Sequence, residues 1–166
     1  MPSHILNVDD IEYQSWGHGD RFEASLGAIS NRIGAQKPGY NMTVLAPGKR
    51  AFPFHSHRVN EEMFFIIEGR GELRFGDETH PVKKGDVIAC PNGGPETAHQ
   101  LINTSDSEEM RYLAVSTSES PEIAEYPDSD KVGVLANFPA QDGGKPTVMR
   151  FIIRDQAGMA DYWDGE

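Results

Sequence analysis

The chain has a single cysteine, Cys90, in 166 residues, and this excludes an intrachain disulfide framework. No uninterrupted apolar stretch comes near the roughly 20 residues that a membrane-spanning helix needs. The first ten residues lack the basic and apolar regions of a secretory signal peptide. These absences predict a soluble protein of the reducing cytoplasm, with no membrane partner.

Positive charge is also scarce in this chain. Lys and Arg number 15 against 26 Asp and Glu, which gives a formal net charge of −11. Such a charge opposes binding to the polyanionic backbone of nucleic acids, and no helix-turn-helix pattern accompanies it. The sequence therefore predicts no nucleic-acid partner and favours a small-molecule substrate.

Turn-forming residues are plentiful, with 17 glycines and 11 prolines. Between the turns lie short apolar runs, and this spacing predicts an all-β sandwich or closed barrel. No internal repeat or long amphipathic helix competes with that interpretation. The predicted strands of the central region are Tyr40–Ala46, Glu62–Glu68, Glu72–Phe75, His80–Val82, Val87–Cys90, Ala98–Asn103 and Met110–Ser116.

The length predicts one domain over residues 1–166, with a core at about 39–117 between two arms. The arm 1–38 has weak apolar periodicity and one expected short strand around Arg21–Ile29. The arm 118–166 is expected to contain a polar stretch at Ser118–Lys131, strands at Val132–Ala136 and Val148–Arg154, and a loop at Gly143-Gly144.

Four side chains, His55, His57, Glu62 and His99, can supply a complete metal-ligand set. His55 and His57 are two residues apart, so on a strand they share one side, with Cα atoms roughly 6.6 Å apart. Glu62 is in phase with the apolar residues that follow it, whereas Glu61 lies on the opposite strand face and could bind His57 or Arg58 as an outer partner. Three imidazoles and a carboxylate suit a divalent transition metal such as Zn, Mn, Fe, Ni, Co or Cu, and the sequence does not choose among them.

The turns around these residues resemble the two motifs of the cupin superfamily over about half of the chain. The first motif matches Gly48, His55, His57, Glu62 and Gly69, and the second matches Gly85, Pro91, Gly93, His99 and Asn103. Two spacings depart from the usual pattern: the first motif is one residue longer, and Gly94–Ala98 is inserted before His99. The insertion could shift His99 or reshape the mouth of the barrel.

The resemblance implies a cupin double-stranded β-helix, a small jelly-roll barrel with N- and C-terminal arms. It also implies a metal-dependent isomerase acting on a small polar carbonyl or sugar-like substrate, possibly phosphorylated, without indicating which residue transfers the proton. An iron-dependent dioxygenase and a non-catalytic small-ligand-binding module are the alternatives. Barrels of this kind often pair through sheet edges, so a homodimer is expected.

Three basic residues, Lys49, Arg50 and Arg58, flank the predicted ligands in the sequence. They could meet an anionic substrate near the mouth of the barrel. Solvated loop charges are the simpler interpretation of each one taken singly.

Overall fold

The protein is described by a computed structural model that covers residues 4–140, 145–154, 163 and 165. The predicted Gly143-Gly144 loop lies outside these residues. Antiparallel strands dominate the described part of the chain, which confirms the all-β class. The strands are β1 Tyr13–His18, β2 Phe22–Ala28, β3 Gly39–Leu45, β4 Ser56–His57, β5 Glu62–Glu68, β6 Arg70–Phe75, β7 Glu78–Lys83, β8 Val87–Cys90, β9 His99–Ile102, β10 Met110–Ser116, β11 Glu122–Tyr126, β12 Lys131–Phe138 and β13 Thr147–Arg154.

Three sheets build the molecule: β1-β2-β3-β10-β5-β8, β7-β6-β9 and β13-β12-β11-β4. The core lies between the first two. Leu45, Ile66 and Met110 are fully buried there and pack in one cluster with Leu73 and Leu101 of the three-stranded sheet. Each such side chain contributes about 1.5–3 kcal/mol through burial, so this layer stabilises the barrel into which the metal-ligand residues project.

Three central strands, β5, β8 and β10, begin and end at the residues predicted from the sequence. Their side chains alternate between the core and solvent, and this alternation is what a sequence pattern can report. In β8, Val87 is 68% exposed whereas the next residue, Ile88, is 8% exposed. Alternation of buried and exposed side chains with a period of two residues therefore predicts where these strands lie, even when the strands they pair with are not known.

Gly69 is the single residue between β5 and β6. Its φ is +83°, a left-handed conformation that strains any residue with a Cβ atom. A Cβ at this position would lie 2.4 Å from the Glu109 carbonyl oxygen. Both the backbone angle and the close approach of the neighbouring chain explain the glycine of the first motif.

The segment before residue 39 contributes more structure than the sequence predicted. The expected strand is present as β2, and β1 pairs with it as a hairpin from Tyr13↔Gly27 to His18↔Phe22. Since β2 also pairs with β3, this hairpin extends the six-stranded sheet. One glycine, two aromatic residues and the polar residues of β1 show no clear alternation, which explains why the sequence did not reveal this strand.

Beyond residue 118, the stretch predicted as polar contains β11, which pairs with β4 at Ala124↔His57 and Glu125↔Ser56. The hairpin of β12 and β13 follows, and β13 is the edge of its sheet. All eight residues of β13 are exposed, on both faces.

Helical structure is confined to single turns. The one α-helical turn among the described residues is α1, Ser30–Ile33, and the 3₁₀ turns are Val8–Asp10, Pro95–Thr97 and Pro127–Ser129. In the part of the chain that the structure covers, no helix has the length and apolar character needed to cross a membrane.

Candidate metal centre

The four predicted ligand residues meet in the interior of the barrel. One ligand atom from each of His55, His57, Glu62 and His99 can be chosen so that all four lie within 4.8 Å of one another. The residues come from separate elements: His57 lies in β4, Glu62 begins β5, and His99 begins β9. The insertion before His99 therefore has not displaced that residue from the cluster.

Backbone hydrogen bonds fix two of these residues to each other. His55 and His99 face each other in an antiparallel bridge. The His99 N–H donates to the His55 carbonyl at 2.8 Å, and the His55 N–H donates to the His99 carbonyl at 3.3 Å. The two imidazoles consequently start from directly opposed positions, with ring centroids 4.9 Å apart.

The orientation of both rings leaves one nitrogen of each available. His55 Nδ1 lies 2.8 Å from the Pro53 carbonyl oxygen, and His99 Nδ1 lies 3.1 Å from that of Thr97. A carbonyl oxygen only accepts, so each Nδ1 carries the proton and donates it. The neutral form of each ring then presents the Nε2 lone pair to the centre, as metal-ligating histidines do.

Glu62 provides the negative charge of the cluster. Its Oε2 lies 3.0 Å from His99 Nε2 and 3.7 Å from His57 Nε2. Burial on its own would raise the pKa of Glu62, but the neighbouring imidazoles of His57 and His99 outweigh burial and hold the pKa well below its usual value. An ionised carboxylate facing imidazole nitrogens at these distances requires a proton or a metal cation between them.

The electrostatic environment shifts the pKa values of His55 and His57 in opposite directions. Burial, reinforced by His99, lowers the pKa of His55 to about 4, so this ring is neutral at pH 7. Burial would also lower the pKa of His57, but the carboxylates of Glu62 and Glu122 outweigh it and raise the pKa. Neither ring nitrogen of His57 has a hydrogen-bond partner among the residues that the structure describes, although both are buried.

The buried His57 imidazole, which lacks a hydrogen-bond partner among the described residues, provides a test of whether a metal fits this site. A buried polar nitrogen without a partner is costly, and a cation bound at Nε2 removes that cost. The donor set of three imidazoles and one carboxylate is also the set that divalent first-row metals accept. The residues present therefore fit a divalent transition metal.

Glu122 is the residue of this site that the sequence did not reveal. Its carboxylate accepts backbone N–H bonds from Arg58 at 3.1 Å, Val59 at 3.2 Å, Asn60 at 2.8 Å and Ile123 at 2.8 Å. The Asn60 side-chain amide also donates to it. Because Glu122 Oε2 lies 3.7 Å from His57 Nδ1, this buried carboxylate faces the outer side of that imidazole.

The outer-partner role considered for Glu61 belongs to Glu122. The Glu61 side chain is exposed, and its backbone N–H donates to Thr117 Oγ1. Glu122 lies 65 positions after His57 and reaches it only because β11 pairs with β4. Its one sequence signal is the apolar alternation of Ile123–Tyr126, which is too short to stand out from the polar stretch around it.

Comparison with known proteins agrees with the fold. Residues 41–116, a little under half of the chain, match the cupin domain family. This part of the chain is a cupin domain. The double-stranded β-helix expected from the resemblance is thereby confirmed, together with the relation to sugar phosphate isomerases described below.

Two curated proteins are similar to this cupin. An uncharacterized protein of Methanocaldococcus jannaschii is 43% identical over 49 residues, which is 30% of this chain and 37% of that protein. The chain thus aligns with little more than a third of that relative. The polyketide synthase CurC of Streptomyces cyaneus is 25% identical over 133 residues, covering 75% of this chain and 84% of that protein.

Among solved structures, the cupin resembles a sugar phosphate isomerase of the cupin superfamily from Silicibacter pomeroyi. The TM-score is 0.69 at 27% identity, and the alignment covers 88% of this chain and 92% of that chain. The similarity therefore extends well beyond residues 41–116 into the terminal segments.

A cavity of about 140 Å³ opens onto the four residues of the cupin site. Its other lining residues are mostly apolar or aromatic: Asn41, Phe52, Phe64, Gln100, Leu101, Tyr112 and Ala114. Phe64 of β5 lines this cavity, while Ile66, two residues further along the strand, lies in the core. Burial raises the pKa of Tyr112, so its phenol keeps its proton at neutral pH.

Cys90, on β8 opposite Glu62, is buried and has no disulfide partner among the described residues. Burial, together with the charge of Glu62, raises the pKa of its thiol. A thiol that stays protonated is a poor nucleophile, so Cys90 is a residue of the hydrophobic core rather than a reactive thiol.

Proposed function

We propose that this cupin is a metal-dependent isomerase of a small, polar carbonyl compound of the sugar or sugar phosphate kind. In this proposal His55, His57, Glu62 and His99 hold one divalent transition metal. The main evidence is that their ligand atoms lie within 4.8 Å of one another. They surround the buried His57 imidazole, which has no hydrogen-bond partner among the described residues. The structural similarity to the sugar phosphate isomerase from Silicibacter pomeroyi supports the reaction class.

A divalent ion at this position would act as a Lewis acid that polarises a carbonyl oxygen. The protein's own contribution is a fixed and water-poor surrounding. Phe52, Phe64 and Leu101 line one cavity with the four ligand residues. A cavity of about 140 Å³ is smaller than the about 300–1,000 Å³ of sites for drug-sized ligands, which favours a small substrate or only its reactive end.

Few side chains that line this cavity could donate or accept a proton. Apart from the four proposed ligands, Tyr112 is the one titratable side chain among its described lining residues. Since its phenol stays protonated, it can donate a hydrogen bond or a proton but does not act as a base at neutral pH. Removal of a proton next to a carbonyl therefore falls to a ligand residue, with the ionised Glu62 carboxylate as the strongest candidate.

The isomerase proposal predicts proton exchange at the carbon next to a carbonyl group. Metal-loaded protein is incubated in D₂O with aldoses, ketoses and their phosphates, and NMR follows deuterium incorporation. We expect incorporation into at least one of these compounds, and its loss in His57→Ala because that variant lacks a proposed ligand. A His80→Ala variant serves as the control, since His80 is half-exposed beside Glu78 and outside the cluster.

Two other results would contradict the isomerase proposal. Substrate-dependent oxygen uptake by an iron-loaded protein would indicate a dioxygenase. Ligand binding without exchange or oxygen uptake would indicate a non-catalytic binding module.

We also propose that a second copy of the chain covers β13. Five apolar side chains on this edge strand are at least 41% exposed: Val148, Met149, Phe151, Ile152 and Ile153. They lie on both faces of the strand, and its outer edge is unpaired in the sheet. An apolar edge of this length is an aggregation hazard unless another chain covers it, and a homodimer does so by symmetry.

The dimer proposal predicts a mass near twice 18.4 kDa in size-exclusion chromatography with light scattering. Phe151→Asp is expected to shift the protein to the monomer, because the interface would then bury an unpaired carboxylate. Val87→Asp is the matched control, since Val87 is 68% exposed on the edge strand of another sheet. A wild-type mass near 18.4 kDa at micromolar concentration would contradict the proposal.

A further inference from the structure

A second cavity is larger than the one at the metal-ligand cluster. It measures about 370 Å³ and lies between the β1–β2 turn, the segment around residues 50–54 and the 3₁₀ turn before β12. Gln100 lines both cavities, and its Nε2 donates to the Phe52 carbonyl at 2.7 Å. The two sites are therefore neighbours with different linings.

Three cationic side chains line this second cavity: Arg21, Arg50 and Lys131. Asp128 is the one carboxylate on its described lining, and Arg74 already engages both of its oxygens, at 2.8 and 3.0 Å. Within the described residues, no ion pair joins Arg21 or Arg50 to a carboxylate. In a chain of net charge −11, this concentration of unpaired positive charge is unexpected.

Arg50 is the best-positioned of the three. Its Nε is buried and has no hydrogen-bond partner among the described residues. Its backbone is held on both sides: the Arg50 N–H donates to the Arg21 carbonyl at 3.2 Å, and the Arg50 carbonyl accepts from Glu23 at 3.1 Å. Burial, followed by the charges of Arg21 and Arg74, lowers the pKa of Arg50, and the opposing charge of Asp128 does not outweigh them.

The remaining wall of the cavity is mostly apolar and aromatic, with His18, Gln100 and Ser129 as its polar residues. It includes Trp16 and Phe54, and the Trp16 indole is fixed by donating to the Ala51 carbonyl at 3.0 Å. Arg74 lies 4.0 Å above the Phe54 ring, which keeps that ring in place. An inorganic ion would leave this surface uncovered, whereas a small organic anion would contact it.

We propose that this cavity binds the phosphate group of a small organic phosphate monoester, with Arg50 and Arg21 as its principal donors. A guanidinium presents paired N–H groups that match the spacing of phosphate oxygens. Two guanidinium groups and the Lys131 ammonium suit the double charge of a phosphate monoester better than the single charge of a carboxylate. The site is independent of the metal-ligand cluster and of the proposed isomerase activity.

The test is calorimetric titration of the protein with phenyl phosphate, a probe that combines the anion with an aromatic group. We expect a dissociation constant in the millimolar range or tighter, and no binding of phenol at the same concentration, because the guanidinium groups recognise the charge. Chelator-treated and metal-loaded protein should bind phenyl phosphate equally. Binding that requires the metal would assign the probe to the other cavity and overturn the proposal.

Two variants test the residues themselves. Arg50→Gln is expected to weaken phenyl phosphate binding about tenfold or more, because it removes a charged donor from a desolvated position. Arg21→Gln should weaken it in the same direction, and since Arg21 is exposed this variant stays informative if the first one does not fold. The matched control is Arg111→Gln on β10, whose side chain pairs with Glu68 and Glu109 away from the cavity.

Two outcomes would overturn the phosphate site. One is the absence of binding up to about 20 mM phenyl phosphate, well above the expected constant. The other is wild-type affinity in Arg21→Gln together with Arg50→Gln. Loss of activity at the metal-ligand cluster in His57→Ala, with phenyl phosphate binding retained, would leave this proposal supported.

Discussion

Replacing His57 with alanine, or Glu62 with alanine, is expected to remove most of the bound metal. Each change deletes one proposed ligand, and Glu62 also carries the negative charge that balances the cation. Loss of an outer partner of a metal ligand typically costs 10–100-fold in affinity, so loss of a ligand itself should cost more than about 100-fold. Elemental analysis of the purified proteins measures this directly, as a metal-to-protein ratio that falls from near one toward zero.

The same measurement needs a variant that removes a histidine elsewhere. His80→Ala is suitable because His80 lies on β7, half-exposed and outside the cluster. Its metal content should equal that of the wild type. Stoichiometric metal in both His57→Ala and Glu62→Ala would contradict the ligand assignment, and circular dichroism would verify that both variants are folded.

Replacing Glu122 with glutamine is expected to weaken both the fold and the metal centre. The four backbone N–H groups around this carboxylate need acceptors, and a glutamine amide would turn a donor toward some of them. Leaving buried donors unsatisfied costs about 1–3 kcal/mol of unfolding free energy. Loss of the charge 3.7 Å from His57 Nδ1 should also lower metal affinity about 10–100-fold.

Urea denaturation of the metal-free protein isolates the first effect, and competition with a chelator measures the second. Glu125→Gln is the matched control on the same strand, because Glu125 makes a salt bridge with a largely solvated Arg58 at 2.6 Å. Such a pair contributes about 0–1 kcal/mol, so the control should be close to the wild type. If Glu122→Gln has wild-type stability and metal affinity, the carboxylate is not an outer partner of the centre.

The central strands and the grouping of the site residues could be predicted because both depend on short-range patterns. Alternating burial defines β5, β8 and β10, and it also gives the phase that turns Glu62 inward and Glu61 outward. The two glycine-containing motifs then predict that His99 lies near the His-x-His segment. Whether these residues bind a metal, and which one, stays a prediction.

Most of the remaining features depend on pairing between distant segments, which a single sequence does not reveal. Strand β1 pairs locally but shows no alternation of its own, whereas β11 is recognisable only beside the distant β4. Glu122 enters the site through that second pairing. The second cavity likewise requires Arg21, Arg50 and Lys131 to come together from three separate regions, although Arg50 alone had been noted as a basic neighbour of the ligands.

The insertion before His99 has both of its ends fastened to the histidine segment. The Gly93 N–H donates to the His57 carbonyl at 2.8 Å, and the opposed bonds between His55 and His99 close the other end. Within this insertion, Thr97 and Ala98 belong to the frame of the site, because the Thr97 carbonyl orients the His99 ring and Ala98 is fully buried. Pro95 and Glu96 are exposed, so the outer rim of the insertion can change at these two positions while the ligand sphere beneath it keeps its shape.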